Sequence, residues 1–259
     1  MDLGLKGRNA IVCAASEGLG RACARSLAEA GVDLVINARR EIELQVTAEE
    51  IASTFGVMVK TVCGDVTDTD VRAEIMDTCP APDILVNNAG GPPPGNFRDW
   101  TPETWHLALD ANMITPIELI RASVDGMIER RFGRIINITS GAIKAPIGML
   151  GLSNGARSGL TGFVAGLARD VAQHGVTVNN LLPGPFETAR LQGTLLGAAK
   201  SQGISVDEAR TARLASNPSL RFGDPNEFGA TCAFIASVHA GYMTGQNILL
   251  DGGAFPGTF

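Results

Sequence analysis

Ala10-Ile11-Val12-Cys13-Ala14-Ala15-Ser16-Glu17-Gly18-Leu19-Gly20-Arg21-Ala22-Cys23 opens as a short apolar run, breaks at small residues and two glycines, and goes on with a helical period. Leu19, Ala22, Cys23, Leu27 and Ala30 share one helix face, Arg21, Arg25 and Glu29 lie off it, and Gly31 closes the segment. A strand that turns sharply into a helix gathers bare backbone amides at one point, where a diphosphate can approach them. Gly18 and Gly20 permit that approach. Two glycines ahead of a helix are weak evidence taken alone, because a tight turn without a ligand reads the same way, so the remainder of the chain has to decide.

Outward from this stretch, short β-branched runs alternate with longer amphipathic ones, the pattern of a parallel sheet with helices on both faces. Strands are expected at Ala10–Cys13, Asp33–Asn37, Met58–Cys63, Ile84–Val86, Arg134–Ile138, Thr177–Leu182 and Asn247–Leu250. The spacing predicts an α/β fold, a single doubly wound Rossmann-type domain over residues 1–259 with a parallel sheet of about seven strands. Two stretches break the rhythm and are expected to frame a substrate cleft: the stiff loop Gly90–Asn96 with its three prolines, and a lid over Glu187–Leu220.

Composition narrows the function. The formal net charge is -6, and no basic block exceeds two residues, which argues against nucleic acid and anionic membrane surfaces. The least polar helical stretch, Ser158–Ala168, sits between two arginines and is too short to span a bilayer, and Met1–Arg8 holds no apolar signal core. Five cysteines without a C-x-x-C pair read as reduced, mostly buried thiols of a cytoplasmic protein. His106, His174 and His239 are far apart and read as surface residues, so no metal is expected.

Further motifs arrive in order: Gly64-Asp65-Val66 after the third strand, Asn87-Asn88-Ala89-Gly90 after the fourth, Asn112 in a long helix beginning near Pro102, Ser140 after the fifth, and Pro183-Gly184-Pro185 with Thr188 after the sixth. Arg221-Phe222-Gly223-Asp224-Pro225, Thr244-Gly245-Gln246 and Asp251-Gly252-Gly253 close the series. Over essentially its whole length the chain resembles the short-chain dehydrogenase/reductases, and within them is similar to 3-oxoacyl-carrier-protein reductases. Cys13 and Ala14 depart from the Thr-Gly that opens the family's glycine motif, and alanine does not adopt positive φ freely.

The resemblance implies a nicotinamide cofactor held by Ala14, Ser16, Glu17, Gly18, Leu19 and Gly20, by Arg39, Arg40, Asp65 and Val66 at the adenosine end, by Asn88, Ala89 and Gly90 along the cleft, and by Arg157, Pro183, Gly184, Phe186 and Thr188 at the nicotinamide. An acidic residue at the end of the second strand would accept bonds from an NAD ribose, whereas Asn37-Ala38-Arg39-Arg40 suits a 2′-phosphate, so NADP(H) is favoured over NAD(H). Glu17 pulls the other way, since its carboxylate would repel that phosphate.

The family's reaction centre is a serine, a tyrosine thirteen residues on and a lysine four further. Counting from Ser140 gives Ser153 and Arg157, and the one tyrosine, Tyr242, lies near the far end. Ser140 can donate to a developing oxyanion. Ser153 is shorter than tyrosine and a far weaker acid, and Arg157 keeps its charge at ordinary pH, so the resemblance implies an oxidoreductase acting on a carbonyl or imine with an atypical proton source. A water ordered by Asn112 and Ser153, or Lys144, is the candidate source. A non-redox isomerase, dehydratase or lyase, and a catalytically silent cofactor-binding protein, share the same scaffold. Gly155, Gly159, Gly162 and Gly166 form a stripe that something must press against, and the resemblance implies a homo-oligomer, a dimer or tetramer, paired through that helix. Met149, Leu150, Leu152, Phe97 and the 191–196 segment predict an apolar wall for a small-molecule substrate.

Overall fold

The computed structural model describes residues 1–258. Seven strands form one sheet: β1 (Asn9–Val12), β2 (Asp33–Ala38), β3 (Val59–Cys63), β4 (Ile84–Asn87), β5 (Gly133–Ile138), β6 (Val176–Pro183) and β7 (Asn247–Leu250). The order is β3-β2-β1-β4-β5-β6-β7, and every pairing is parallel. Each expected strand is present, with ends shifted by one residue at most. Parallel strands need crossovers that cover both faces, and the apolar runs that make these strands are buried accordingly.

The helices are α1 (Gly18–Glu29), α2 (Glu41–Phe55), α3 (Thr69–Thr78), α4 (Pro102–Leu109), α5 (Thr115–Glu129), α6 (Gly151–Val171), α7 (Ala189–Gln202), α8 (Val206–Ala215) and α9 (Pro225–Ala236). Two apolar cores result, one on each face of the sheet. The first gathers Leu27, Ile36, Ile51 and Phe228 from α1, β2, α2 and α9; the second gathers Ile75, Leu119, Leu160 and Val164 from α3, α5 and α6. Leu191, Leu195 and Phe222 form a third, separate cluster under α7 and α8. The segment expected as a lid is thus two helices with a small core of their own. None of the described helices is long and apolar enough to cross a membrane.

The long helix expected from Pro102 is not continuous. It divides into α4, a π-helical turn over Asp110–Ile114 and α5. Pro116 explains the break. It has no N–H for the carbonyl of Asn112, and its ring crowds that carbonyl, so the helix widens there and frees it.

The glycine stripe also resolves differently along its length. A Cβ on Gly155 would lie 2.8 Å from the Trp105 ring, and one on Gly159 would lie 2.7 Å from the Met113 sulfur, so these two are required by packing inside the chain. Gly162 and Gly166 have nothing within 4 Å of a Cβ position and face outward.

Candidate active site

The strand order reverses between β1 and β4, and the crevice above their carboxyl ends is where an open α/β sheet takes its ligand. On the β1 side the turn into α1 is tight. A Cβ on Gly20 would sit 2.2 Å from the carbonyl oxygen of Ala14 and 3.0 Å from Nδ2 of Asn88, so only glycine closes this wall. Ala14 holds φ 49, the left-handed region, where the family motif has glycine. Ser16 fixes the turn by accepting a bond from Thr47 Oγ1 at 3.1 Å. Leu19 is half-buried and packs on the first core. Thr188, the N-cap of α7, faces Gly18 across the crevice at 3.7 Å from a Cβ position. The α1 amides and a bare Gly18 fit a diphosphate, while the Thr188 hydroxyl is taken up at its own cap, accepting from the Leu191 amide at 3.4 Å and donating to the Phe186 carbonyl at 3.3 Å.

At the adenosine end the charges are paired. Glu17 bonds Arg40 at 2.9 Å, but Arg40 also reaches Glu43 at 2.9 Å, so one exposed guanidinium is shared by two carboxylates and offsets only part of the Glu17 charge. Arg39 lies 3.6 Å from Asp65 and is otherwise solvent-exposed. Burial alone would raise the Asp65 carboxyl, but the Thr67 amide and hydroxyl and then the Arg39 guanidinium hold it below its usual range. Val66 is buried beneath it.

Beyond β4, Asn88 and Ala89 are half-buried and Gly90 is exposed. Asn112 donates from Nδ2 to the carbonyls of Gly90 and Ala108, at 3.4 and 3.3 Å, tying the π turn to the Asn88–Gly90 segment. Asn87, Asn137, Asn180 and Asn247 sit in register on four neighbouring strands and form a chain of amide bonds of 2.9, 3.1 and 2.8 Å. The Oδ1 atoms of Asn87 and Asn112 are buried without a partner. Both residues, with Asn137 and Arg157, line a cavity of about 10 Å³, which is room for one water molecule.

Ser140 follows β5, and its Oγ accepts from the amide of Ala142 at 3.1 Å, which leaves the hydroxyl proton to donate elsewhere. Ser153, 6% exposed, lies one turn before Arg157 on α6. Arg157, 7% exposed, donates from Nε to Ser153 Oγ at 3.2 Å and from Nη1 to the carbonyl of Ile138 at 2.7 Å. Ser153, Arg157 and the end of β5 are therefore one bonded unit, two residues from Ser140. Burial, and after it the charge of Arg190, brings the Arg157 guanidinium down to about 10. It is still protonated at neutral pH.

Other expected residues fall outside this unit or contribute differently. Pro183 ends β6, and Gly184 donates its amide to Leu250 at 2.8 Å. The Phe186 ring packs edge-on to Phe228, 5.3 Å between centroids, inside the first core, so Phe186 offers the cofactor no side chain. Lys144 is half-buried and lies over the Phe255 ring at 5.7 Å rather than extending into solvent as a free loop lysine would. His174 is half-buried, while His106 and His239 are exposed. No cluster of metal-binding side chains occurs among the described residues. Of the expected apolar wall, Leu152, Leu191 and Leu195 are core residues, whereas Phe97, Met149 and Leu196 are exposed.

Comparison with known proteins gives the family. The family model described as enoyl-(acyl carrier protein) reductase matches residues 13–254. The 3-oxoacyl-(acyl-carrier-protein) reductase FabG of Vibrio cholerae is 34% identical over 98% of this chain and 99% of its own. The chain is a short-chain dehydrogenase/reductase. The NADPH-dependent reductase BacG of Bacillus subtilis is 31% identical over 95% of this chain and 97% of its own. L-sorbose reductase from Gluconobacter frateurii, solved with NADPH and L-sorbose, superposes with a TM-score of 0.93 at 28% identity, covering 99% of this chain and 100% of that one.

Reading this short-chain dehydrogenase/reductase by sequence missed two features of the site. The asparagine chain had a signal, since four of the expected strands each carry an Asn, at Asn87, Asn137, Asn180 and Asn247. Arg190 had none: its guanidinium crosses from α7 to Gly91, where a Cβ would meet Nη2 at 2.6 Å.

Proposed function

We propose that this chain is an NADP(H)-dependent reductase of a carbonyl or imine substrate, in which Ser140 and Ser153 donate hydrogen bonds to the reacting oxygen or nitrogen and Arg157 supplies the charge behind them. The observation that carries the reading is the placement of Arg157, buried in the cleft and bonded to both Ser153 and the strand end before Ser140. In this reading Ser153 and Arg157 stand where the family has its tyrosine and lysine.

The cofactor, when bound, supplies a hydride to the substrate carbon. Negative charge then builds on the substrate oxygen, and donors fixed in advance stabilise it without reorganising. Ser140 and Ser153 meet that requirement because each oxygen already accepts an N–H, which leaves its own proton free to donate. Neither is acidic enough to give its proton away. The final proton comes from water held near Asn112 and Arg157, and the reaction is fastest on substrates that need little acid, such as iminium ions and activated dicarbonyls.

NADP(H) is preferred to NAD(H) because Arg39 can leave a weak, exposed pair with Asp65 for a 2′-phosphate, and Arg40 offsets part of the Glu17 charge. The paired helices α7 and α8 serve as the lid, in keeping with their separate core. A homo-oligomer joined across the open face at Gly162 and Gly166 and a cytoplasmic setting belong to the same proposal, consistent with five free cysteines.

The test is NADPH consumption by the purified protein against ketones, activated dicarbonyls, 3-oxoacyl thioesters and cyclic imines, with NADH in parallel. Turnover of the imines or dicarbonyls with NADPH preferred is expected. Tight NADPH binding with no turnover on any of them would overturn the reading in favour of a non-redox or sensing role.

A further inference from the structure

The helix that carries Ser153 and Arg157 begins without support of its own. α6 starts at Gly151, directly after the 3₁₀ turn Gly148–Leu150, and has neither a side-chain cap nor an acidic residue in its first turn. Ser153 lies only two residues on. Its anchor on the β5 side is Arg157, which shares its helix face, bonds its Oγ and bonds the carbonyl of Ile138.

Gly151 and Gly155, also one turn apart, mark the opposite face of α6, and against them sit the two tryptophans of the chain. A Cβ on Gly151 would lie 2.3 Å from the Trp100 ring, and one on Gly155 would lie 2.8 Å from the Trp105 ring. Trp100 has a glycine at its other edge as well, since a Cβ on Gly95 would lie 2.9 Å from its Nε1. The two rings meet edge to face with 6.0 Å between centroids, a favoured aromatic arrangement. Three glycines thus make room for two rings.

The element that presents the rings is capped where α6 is not. Trp100 directly precedes Thr101, the N-cap of α4, and Trp105 lies within that helix. Thr101 Oγ1 accepts from the Thr104 amide at 3.4 Å while the Thr101 amide donates to Thr104 Oγ1 at 2.9 Å, a reciprocal cap that fixes the spacing of the rings. Pro102 pre-sets the same turn. The Gly95 amide donates to the Met149 carbonyl at 2.9 Å and ties the proline loop to the turn ahead of α6.

We infer that Trp100 and Trp105 are positioning residues of the reaction centre, which brace the uncapped start of α6 from behind and so hold Ser153 at the cleft. They touch no reacting atom and act through Ser153. A donor displaced by about 1 Å can cost as much as about a hundredfold in rate. The inference rests on the reductase reading and names what holds its hydrogen-bond donor in place.

The test uses Trp105→Leu, Trp100→Phe and Gly155→Ala, each alone and combined with Ser153→Ala. Gly155→Ala leaves both rings in the chain and covers the case in which loss of a ring unfolds it. Turnover is measured with NADPH and an activated dicarbonyl, and amide hydrogen exchange is followed at residues 155–157, whose carbonyl partners lie in the first turns of α6. Trp105→Leu and Gly155→Ala should lower kcat tenfold or more, with KM and NADPH affinity held within about threefold, and should speed exchange at 155–157 tenfold or more. Trp100→Phe, which keeps a ring, should stay within about threefold of wild type in both. In the Ser153→Ala background the further loss of kcat should shrink below about threefold. An equal loss of kcat in both backgrounds would overturn the inference. So would wild-type exchange in a folded Trp105→Leu variant, or slower exchange in Gly155→Ala, the result that the higher helix propensity of alanine alone would give. Absence of turnover by wild type with NADPH bound would instead overturn the reductase reading. Exchange would then decide the brace by itself: faster exchange in Trp105→Leu and Gly155→Ala would support it, and wild-type rates would end it.

Discussion

Arg157 bonds Ser153 one helical turn behind it, Nε to Oγ at 3.2 Å, and thereby turns a buried cation and a buried alcohol into a single polar unit at the end of β5. A guanidinium buried without a carboxylate is an expense that packing alone does not require.

That cost is measurable. The fall of the Arg157 guanidinium from its ordinary range to about 10, caused first by burial, corresponds to ~3 kcal/mol against folding. The folded value lies below the unfolded one, so the cost is present at every pH below about 10 and is relieved only above it. Arg157→Met, which removes the charge and keeps much of the volume, should leave the urea-unfolding free energy at pH 7 unchanged or higher by up to about 2 kcal/mol while weakening NADPH binding at least tenfold. A less stable variant would contradict this account.

The pH dependence of catalysis should be flat. Serine hydroxyls do not ionise in the working range, and Arg157 stays protonated below about 10. For an uncharged dicarbonyl at saturating NADPH, kcat/KM should therefore vary less than about twofold between pH 6 and 9. A well-defined ionisation in that window that persists with every uncharged substrate would point to a titrating general acid.

Ala14 carries strain that glycine would release. At φ 49 an alanine pays roughly 1–2 kcal/mol, part of which the greater chain entropy of glycine offsets. Ala14→Gly should raise the thermal midpoint by about 2 °C with NADPH affinity retained. A lowered midpoint would show that the turn is relaxed as it stands.

Asn137 stands in the middle of the asparagine chain, accepting from Asn87 and donating to Asn180. Asn137→Ala should cost about 3 kcal/mol in denaturant unfolding, because two buried amides lose a partner. A loss under 1 kcal/mol would mean that the neighbours rebond among themselves.

What the sequence made legible follows from where the information resides. The seven strands are short apolar runs bounded by Gly, Pro and polar residues, and the β1 turn carries its glycines in order, so both could be read locally. The π turn was readable in principle at Pro116, which denies Asn112 its helical partner. The pairing of Glu17 with Arg40 and the reach of Arg190 to Gly91 depend on tertiary placement, as does the division of the glycine stripe into packed Gly155 and Gly159 and open Gly162 and Gly166. The direction of the Phe186 ring is hidden for the same reason: its position beside the cleft is local, but its ring is turned by Phe228 on α9.

The most direct test of the central claim is the rate of NADPH oxidation with an unactivated ketone and with an activated dicarbonyl, compared between wild type and the double variant Ser153→Tyr with Arg157→Lys. A general acid is worth about 10² to 10⁴ in rate, and the double variant supplies one. The account predicts a gain of about a hundredfold or more on the unactivated ketone and little change on the dicarbonyl. A folded, NADPH-binding double variant that gains nothing on the unactivated ketone would contradict it.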